Sequence, residues 1–395
     1  MKSPSRDERR AVLEAARARK MAQSAHAFVR GNTAGFYDHL RRLPTSKRPP
    51  TGPAIWICGD CHLGNLGPLT DGDGRIEIQI RDLDQAVIGN PAHDIVRLAL
   101  SLASAARGSD LSGVVTARMM EAIVAGYARA LADPVDGDAG PEPDVVRTVK
   151  RRSLGRRWRD LALERIGDPD PTIPLGRRFW KLEDREREAL GALFDDPALR
   201  RLVLSIDADD SDSKVRLVDA AYWIKGCSSL GLLRYAAVFA VKGAADREKF
   251  GLVDIKQATA PVAPVARSAA MPAENGERVV AGAKALSPYL GDRMAAGHVL
   301  GKPVFVRELA PQDLKLEVDQ FSSGDQAVRA AQYLGFVVGR AHGRQLAPKD
   351  RKSWCITLLG DGGTAPDWLW SCLIALAGEH EADYLDHCRR HAANG

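Results

Sequence analysis

The densest cluster of reactive side chains in this sequence is Gly59-Asp60-Cys61-His62-Leu63-Gly64-Asn65. Seventeen residues after Asn65 comes Asp82-Leu83-Asp84, followed by Gly89-Asn90-Pro91-Ala92-His93-Asp94. A carboxylate and an amide five residues apart on one loop, with more carboxylates at a nearby strand end, can surround a hard cation. Mg²⁺ prefers oxygen ligands and keeps phosphate oxygens and water in its shell. Phosphoryl transfer needs such a cation, together with a carboxylate that orients the attacking hydroxyl.

The elements that must hold these groups follow from the pattern around them. Ala54–Ile57 is a short apolar run, Cys58–Gly67 a Gly-punctuated loop, and Asp71–Gly74 a hairpin turn before the alternating strand Ile76–Ile80. Residues 92–107 and 113–132 read as buried helices, and 9–42 as helical with Gly31 and Gly35 weakening its middle. Asp133–Asp144 is a loop, followed by a basic stretch from Arg147 to Arg159 and a second one, Arg177–Lys181. The acidic run Asp207–Asp212 marks a domain boundary. Beyond it the pattern turns to strands (Val215–Ile224, Tyr235–Lys242, Gly251–Ala258, Pro303–Leu309) with a helix over Glu274–Leu286. Asp325–Arg344 and the C-terminal tail are helical.

Composition narrows the class. The chain has 395 residues, 45% of them hydrophobic and 27% charged, which is globular rather than disordered. A net charge of +5 is too small to point to wholesale nucleic-acid binding. No apolar run reaches the roughly 18 residues of a membrane span. The charged start carries no apolar signal segment, and six cysteines are too few for a disulfide scaffold. A cytoplasmic location is expected. Nothing speaks to oligomeric state.

Gly-Asp-x-His-x-Gly-Asn, a hairpin, Asp-x-Asp and then Gly-Asn-Pro-x-x-Asp resembles the catalytic core of aminoglycoside and choline kinase-like phosphotransferases, which share the protein-kinase-like fold. The resemblance implies that Asp60 positions the acceptor hydroxyl, with His62 beside it in the catalytic loop. It makes Asn65 and Asp82 the metal ligands and Asp84 a second carboxylate ligand, while Asp94 braces the loop. In such kinases a nucleotide-binding lobe precedes this loop, and here there is no room for one. A candidate lies downstream instead. Gly226 to Gly231 forms a G-x-x-x-x-G turn containing Ser228 and Ser229, whose backbone N–H groups suit phosphates. Lys256, in Val-Asp-Ile-Lys, resembles the strand lysine of kinases, with Glu274 or Glu277 as its ion-pair partner. Arg307 sits in the strand Val306–Leu309 and joins the nucleotide-site candidates.

The expected fold is therefore α+β: a protein-kinase-like two-lobe fold, circularly permuted, with the catalytic lobe first. It divides into an N-terminal helical segment (1–45), a catalytic lobe (46–205), a β-rich nucleotide lobe (206–318) and a C-terminal helical segment (319–395). Either 28–43 or 330–344 supplies the helix that precedes the catalytic loop. The whole chain also resembles the uncharacterised bacterial domain-of-unknown-function family 2252. The expected activity is Mg²⁺-ATP-dependent phosphoryl transfer to a hydroxyl of a small molecule or protein, with nucleotide and acceptor as its partners. Nucleotide binding without turnover, and AMP transfer on the same fold, are the alternatives. A basic nucleic-acid-binding role for 147–181 ranks below them.

One competing motif overlaps the loop. Cys58-Gly-Asp-Cys61-His62 spells the haem-attachment pattern C-x-x-C-H, and the two thiols alone spell a redox pair. Haem attachment is extracytoplasmic, a redox pair lacks its βαβ context here, and no second Cys/His pair has zinc spacing. The carboxylate register explains more of the same stretch.

Overall fold

The computed structural model describes residues 4–71, 73–167, 171–204, 214–226, 230–242, 248–267, 269–314, 316, 321, 323–360 and 367–393. In chain order its strands are β1 (Ile55–Ile57), β2 (Leu66–Thr70), β3 (Ile76–Ile80), β4 (Val87–Gly89), β5 (Phe179–Trp180), β6 (Lys214–Trp223), β7 (Arg234–Lys242), β8 (Glu248–Gln257), β9 (Met294–Val299) and β10 (Lys302–Leu309). β1 pairs with β4 and β2 with β3, while a six-stranded sheet runs β5-β6-β7-β8-β10-β9 with every pairing antiparallel. The protein is mixed α+β.

The period of two in a strand sends alternate side chains to opposite faces, and the six-stranded sheet uses both. Tyr235, Ala237 and Phe239 of β7, Val253 and Ile255 of β8, and Val304 and Val306 of β10 enter one core with Leu190, Leu193 and Leu199. Those leucines belong to the helices Asp184–Leu193 and Pro197–Leu204. On the opposite face Ala236, Val238, Leu252 and Leu309 pack against Leu161, Ile166 and Ile173. Farther along that second face, Asp254, Lys256, Phe305 and Arg307 are left to line an open cleft. The sheet thus begins at Phe179, well before residue 206, because Phe179 and Trp180 pair with Trp223 and Tyr222. The acidic run 207–212 lies outside the described residues.

A second, largely helical core surrounds the small β-pairs. The helix Gly113–Ala132, capped by Ser112, lies against the helix Gly324–Gly343, capped by Ser323. Their approach is close because Gly335 offers no Cβ; one placed there would meet the carbonyl oxygen of Ile123. The expected helix 9–42 is instead three helices, Arg6–Met21, Ala25–Gly31 and Thr33–Arg42. Ser24 accepts from the Ala27 N–H at 3.1 Å and Asn32 from the Gly35 N–H at 3.2 Å, each starting a new helix. The first of the three bridges the two cores: Leu13 packs on the sheet side, and the Ala18 carbonyl meets His387 of the C-terminal helix. Among the described residues no helix is long and apolar enough to cross a membrane.

Candidate functional site

The loop after β1 is held from beneath by one carboxylate. Asp94, fully buried in the first turn of the helix Ala92–Gly108, accepts from the backbone N–H of Cys58 at 2.7 Å and of Gly59 at 2.9 Å. Behind it, His342 Nε2 lies 3.2 Å from Asp94, and His342 Nδ1 lies 2.9 Å from the Tyr127 hydroxyl. Tyr37 donates to the Gly59 carbonyl at 2.7 Å. Gly59 has φ +73°, and a Cβ on it would meet the Gln85 carbonyl oxygen, so the loop requires glycine there.

This brace presents Asp60. Arg97 Nε donates to Asp60 Oδ1 at 2.9 Å, and both residues are buried. Burial pushes the Asp60 carboxyl above its usual range, against the opposing pull of Arg97. The Asn65 Nδ2 group donates to the Asp60 backbone carbonyl at 2.9 Å, which directs the amide and leaves Oδ1 as its acceptor. His62 stands with Nε2 4.0 Å from Asp60 Oδ2, and burial plus the charges of Arg30 and Arg97 hold it well below its ordinary pKa. The imidazole is thereby held neutral beside Asp60.

Lys256, 4% exposed, reaches from the sheet to both downstream carboxylates, contacting Asp84 directly and Asp82 at 3.5 Å. Burial works against its ammonium, but Asp82 and Asp84 outweigh that and hold its pKa high. Asp82, 47% exposed at the side chain, pays some desolvation but is kept below the usual carboxylate range by Lys256. Burial and the neighbouring charge of Asp82 push Asp84 up to about 7. Asp84 Oδ1 is buried without a hydrogen-bond partner among the described residues.

Two clefts meet at these residues. One, of about 340 Å³, is lined among the described residues by Lys256 and seven further lysines and arginines against only two carboxylates, Asp82 and Asp254. The other, of about 250 Å³, contains Asp60, Asp84, Thr33, Gln85 and Thr259. Asn65 and Asp82 line both.

A family model described as an uncharacterized protein conserved in bacteria (DUF2252) matches residues 9–390. The chain belongs to this family. No curated protein and no solved structure matches it.

Several expected site residues of this DUF2252 chain converge: Asp60, His62, Asn65, Asp82, Asp84 and Lys256 surround the junction of the clefts, and Arg307 lines the cationic one. Gly226 also lines that cleft, with φ +99°, and its carbonyl accepts from Lys20 at 2.8 Å. Gly231 is exposed and also has φ +99°. Ser228 and Ser229 lie outside the described residues.

The expected acidic partner of Lys256 is a correction. Glu277 is exposed on the helix Asn275–Leu286, and Glu274 pairs with His298 at 3.4 Å. Their helix turns Arg278 inward instead, where its guanidinium donates to the carbonyls of Asp84 and Thr259, each at 2.9 Å. Lys256 finds its counter-charge in the carboxylates expected to ligate metal.

Arg97 and the Arg234–Asp254 pair escaped the sequence reading. Arg234 donates to both Asp254 oxygens, one at 2.9 Å, from neighbouring strands. The available signal was an arginine within an otherwise apolar helix, and opposite charges on adjacent strands. Each charge is too costly to bury alone.

Proposed function

We propose that this DUF2252 protein is a Mg²⁺-ATP-dependent phosphotransferase that acts on a hydroxyl, built on a circularly permuted protein-kinase-like fold. One observation carries the reading: Asn65 and Asp82 stand in the wall shared by a cationic cleft and a cleft holding a buried carboxylate, Asp60. Phosphates belong on the first side and the acceptor on the second, with transfer across the boundary. The charge of Lys256 and its cationic neighbours would stabilise the transferring group, which is where catalysis of this kind gains most.

The oxygens available at the boundary fit Mg²⁺. The Asn65 amide is turned so that Oδ1 is its acceptor, Asp82 is half-exposed, and Asp84 Oδ1 is buried without a hydrogen-bond partner among the described residues. Among the described residues no group of three His, Cys, Asp or Glu side chains forms a ready metal cage, so the remaining ligands would be phosphate oxygens and water, as Mg²⁺ prefers. The bound ion would supply charge neutralisation. The chain itself orients the acceptor: Arg97 occupies Asp60 Oδ1, and Oδ2 is left to take the hydroxyl.

The permuted order draws support from the C-terminal half. The helix Gly324–Gly343 ends beside β1, where Gln345 both accepts from the Trp56 N–H at 2.8 Å and donates to the Trp56 carbonyl at 3.0 Å. A kinase-like chain in ordinary order would pass from that helix into the catalytic loop at this point. On this reading the 330–344 segment, rather than 28–43, takes the role of the preceding helix.

Thermal unfolding with ATP, Mg²⁺, both and neither tests the reading. A ligand at about 100 times its Kd adds about 2.7 kcal/mol to the folded state, so ATP should raise the midpoint, and more so with Mg²⁺. Absence of any shift would overturn the proposal. Given a shift, the mass added to an acceptor separates phosphoryl from AMP transfer.

A further inference from the structure

Part of the cationic cleft is not accounted for by one transferring phosphate. Arg81 precedes Asp82, Arg307 lies on β10, and Arg165 ends the helix Trp158–Arg165; all three line the cleft. Arg307 pairs in register with Asp254, and Phe305 with Lys256. Arg307 is therefore offset from Lys256 by two residues of rise along the strands, about 7 Å, on the neighbouring strand.

These three arginines converge on the same short segment. Arg81 donates to the Asp313 carbonyl at 3.0 Å and to the Leu314 carbonyl, and Arg165 to the Asp313 carbonyl at 3.1 Å. Arg307 reaches the Asp313 carboxylate at 3.1 Å and the Arg81 carbonyl at 2.9 Å. That carboxylate is already held by both terminal nitrogens of Arg293, each at 3.0 Å. Asp313 thus answers Arg293 and Arg307 together, and Arg81 is left with backbone carbonyls alone. Arg165 shares the partly exposed Glu164 with Arg156.

One further observation points to an anion-binding role. Arg81 is 8% exposed and Arg165 7%, and each keeps a buried Nε–H without a hydrogen-bond partner among the described residues, as does Arg307. Guanidinium forks match phosphate geometry better than ammonium groups do.

We propose that Arg81, Arg165 and Arg307 form a separate oxyanion subsite in the cleft, for a phosphate-type group other than the one held beside Lys256. Its ligand is either a lone phosphate group or one unit of a longer polyphosphate chain. Its separateness from the Lys256 phosphate, tested by the ATP analogue, rests on the kinase reading, whereas phosphate binding through Arg165 is tested independently of it.

The test follows the unfolding midpoint of the full-length protein against inorganic phosphate at constant ionic strength, with chloride as the control. The midpoint should rise saturably with phosphate and not with chloride. Arg165→Gln should weaken the apparent phosphate affinity at least tenfold, and Arg165→Lys, which keeps the charge but loses the fork, should weaken it severalfold. Lys256→Met should leave it within about twofold, and a saturating non-hydrolysable ATP analogue with Mg²⁺ should not displace phosphate. If Arg165→Gln does not fold, calorimetric titration of the Arg165→Lys and Lys256→Met variants decides the matter. Equal phosphate affinity in wild type and the Arg165 variants would overturn the subsite. So would loss of phosphate binding in Lys256→Met, or displacement by the ATP analogue. Tripolyphosphate identifies the source: a gain of more than tenfold over phosphate marks a chain, and equal affinity a single group.

Discussion

Arg97 holds Asp60 through a single 2.9 Å bond from Nε to Oδ1, and the arginine is fully buried. Arg97 also donates to the Val29 carbonyl at 2.6 Å and lies over the Phe36 ring, so its position is fixed from three sides. The carboxylate proposed to orient the acceptor is thereby fixed too. Removing one member of a buried pair typically costs about 3–5 kcal/mol, because the other charge remains uncompensated. Arg97→Met should lose stability on that scale in urea unfolding at pH 7. Asp60 already has a raised folded pKa; without Arg97 it rises further, so the folded state binds the extra proton and the deficit grows as pH climbs above the unfolded value. A variant as stable as wild type at pH 7 would show that the pair contributes nothing.

Asp94 carries the loop rather than the chemistry. Asp94→Ala leaves the N–H groups of Cys58 and Gly59 without their acceptor. At about 1–3 kcal/mol for each unsatisfied buried group, the expected loss is roughly 2–6 kcal/mol. Amide exchange at Cys58 and Gly59 should accelerate together. Unchanged protection would mean that other contacts hold the loop.

Asp82→Asn separates site from scaffold. The side chain is 47% exposed and Lys256 keeps Asp84 as its partner, so the ligand-free midpoint should correspond to a stability within about 1 kcal/mol of wild type. The additional midpoint shift that Mg²⁺ confers on the ATP-bound protein should disappear, and metal-dependent turnover with it. Undiminished turnover in this variant would remove Asp82 from the site.

Asp84 predicts a pH dependence. Its folded pKa is raised from 3.8 to about 7, so the folded chain binds the extra proton between those values, and this group lowers stability as pH rises through that window. A cation that uses the carboxylate must displace the proton. The apparent Mg²⁺ affinity should climb about tenfold per pH unit below 7 and level off above it. Asp84→Asn should abolish the slope; a slope that persists in that variant assigns the proton elsewhere.

Much of the architecture was readable because it repeats locally. The alternation of Ile76–Ile80 gave β3 with those bounds, and the apolar helices at 92–107 and 113–132 appear as Ala92–Gly108 and Gly113–Ala132. Capping side chains were underweighted: Ser24 and Asn32 divide what periodicity joined into one helix. The strand Met294–Val299 went unread because Met-Ala-Ala-Gly-His-Val carries little strand signal of its own; its pairing with β10 creates it.

The sequence by itself determined which carboxylates and amide belong together, since Asp60, Asn65 and Asp82 lie within 23 residues and their spacing follows from short-range geometry. Only the tertiary structure decided how their charges are answered. Arg97 meets Asp60 across 37 positions, Lys256 meets Asp82 across 174, and Arg81 meets Leu314 across 233. A buried charge requires an opposite charge or a dipole but does not specify from which part of the chain it comes. That choice is made by the packing of the sheet against the loop, which no local pattern encodes.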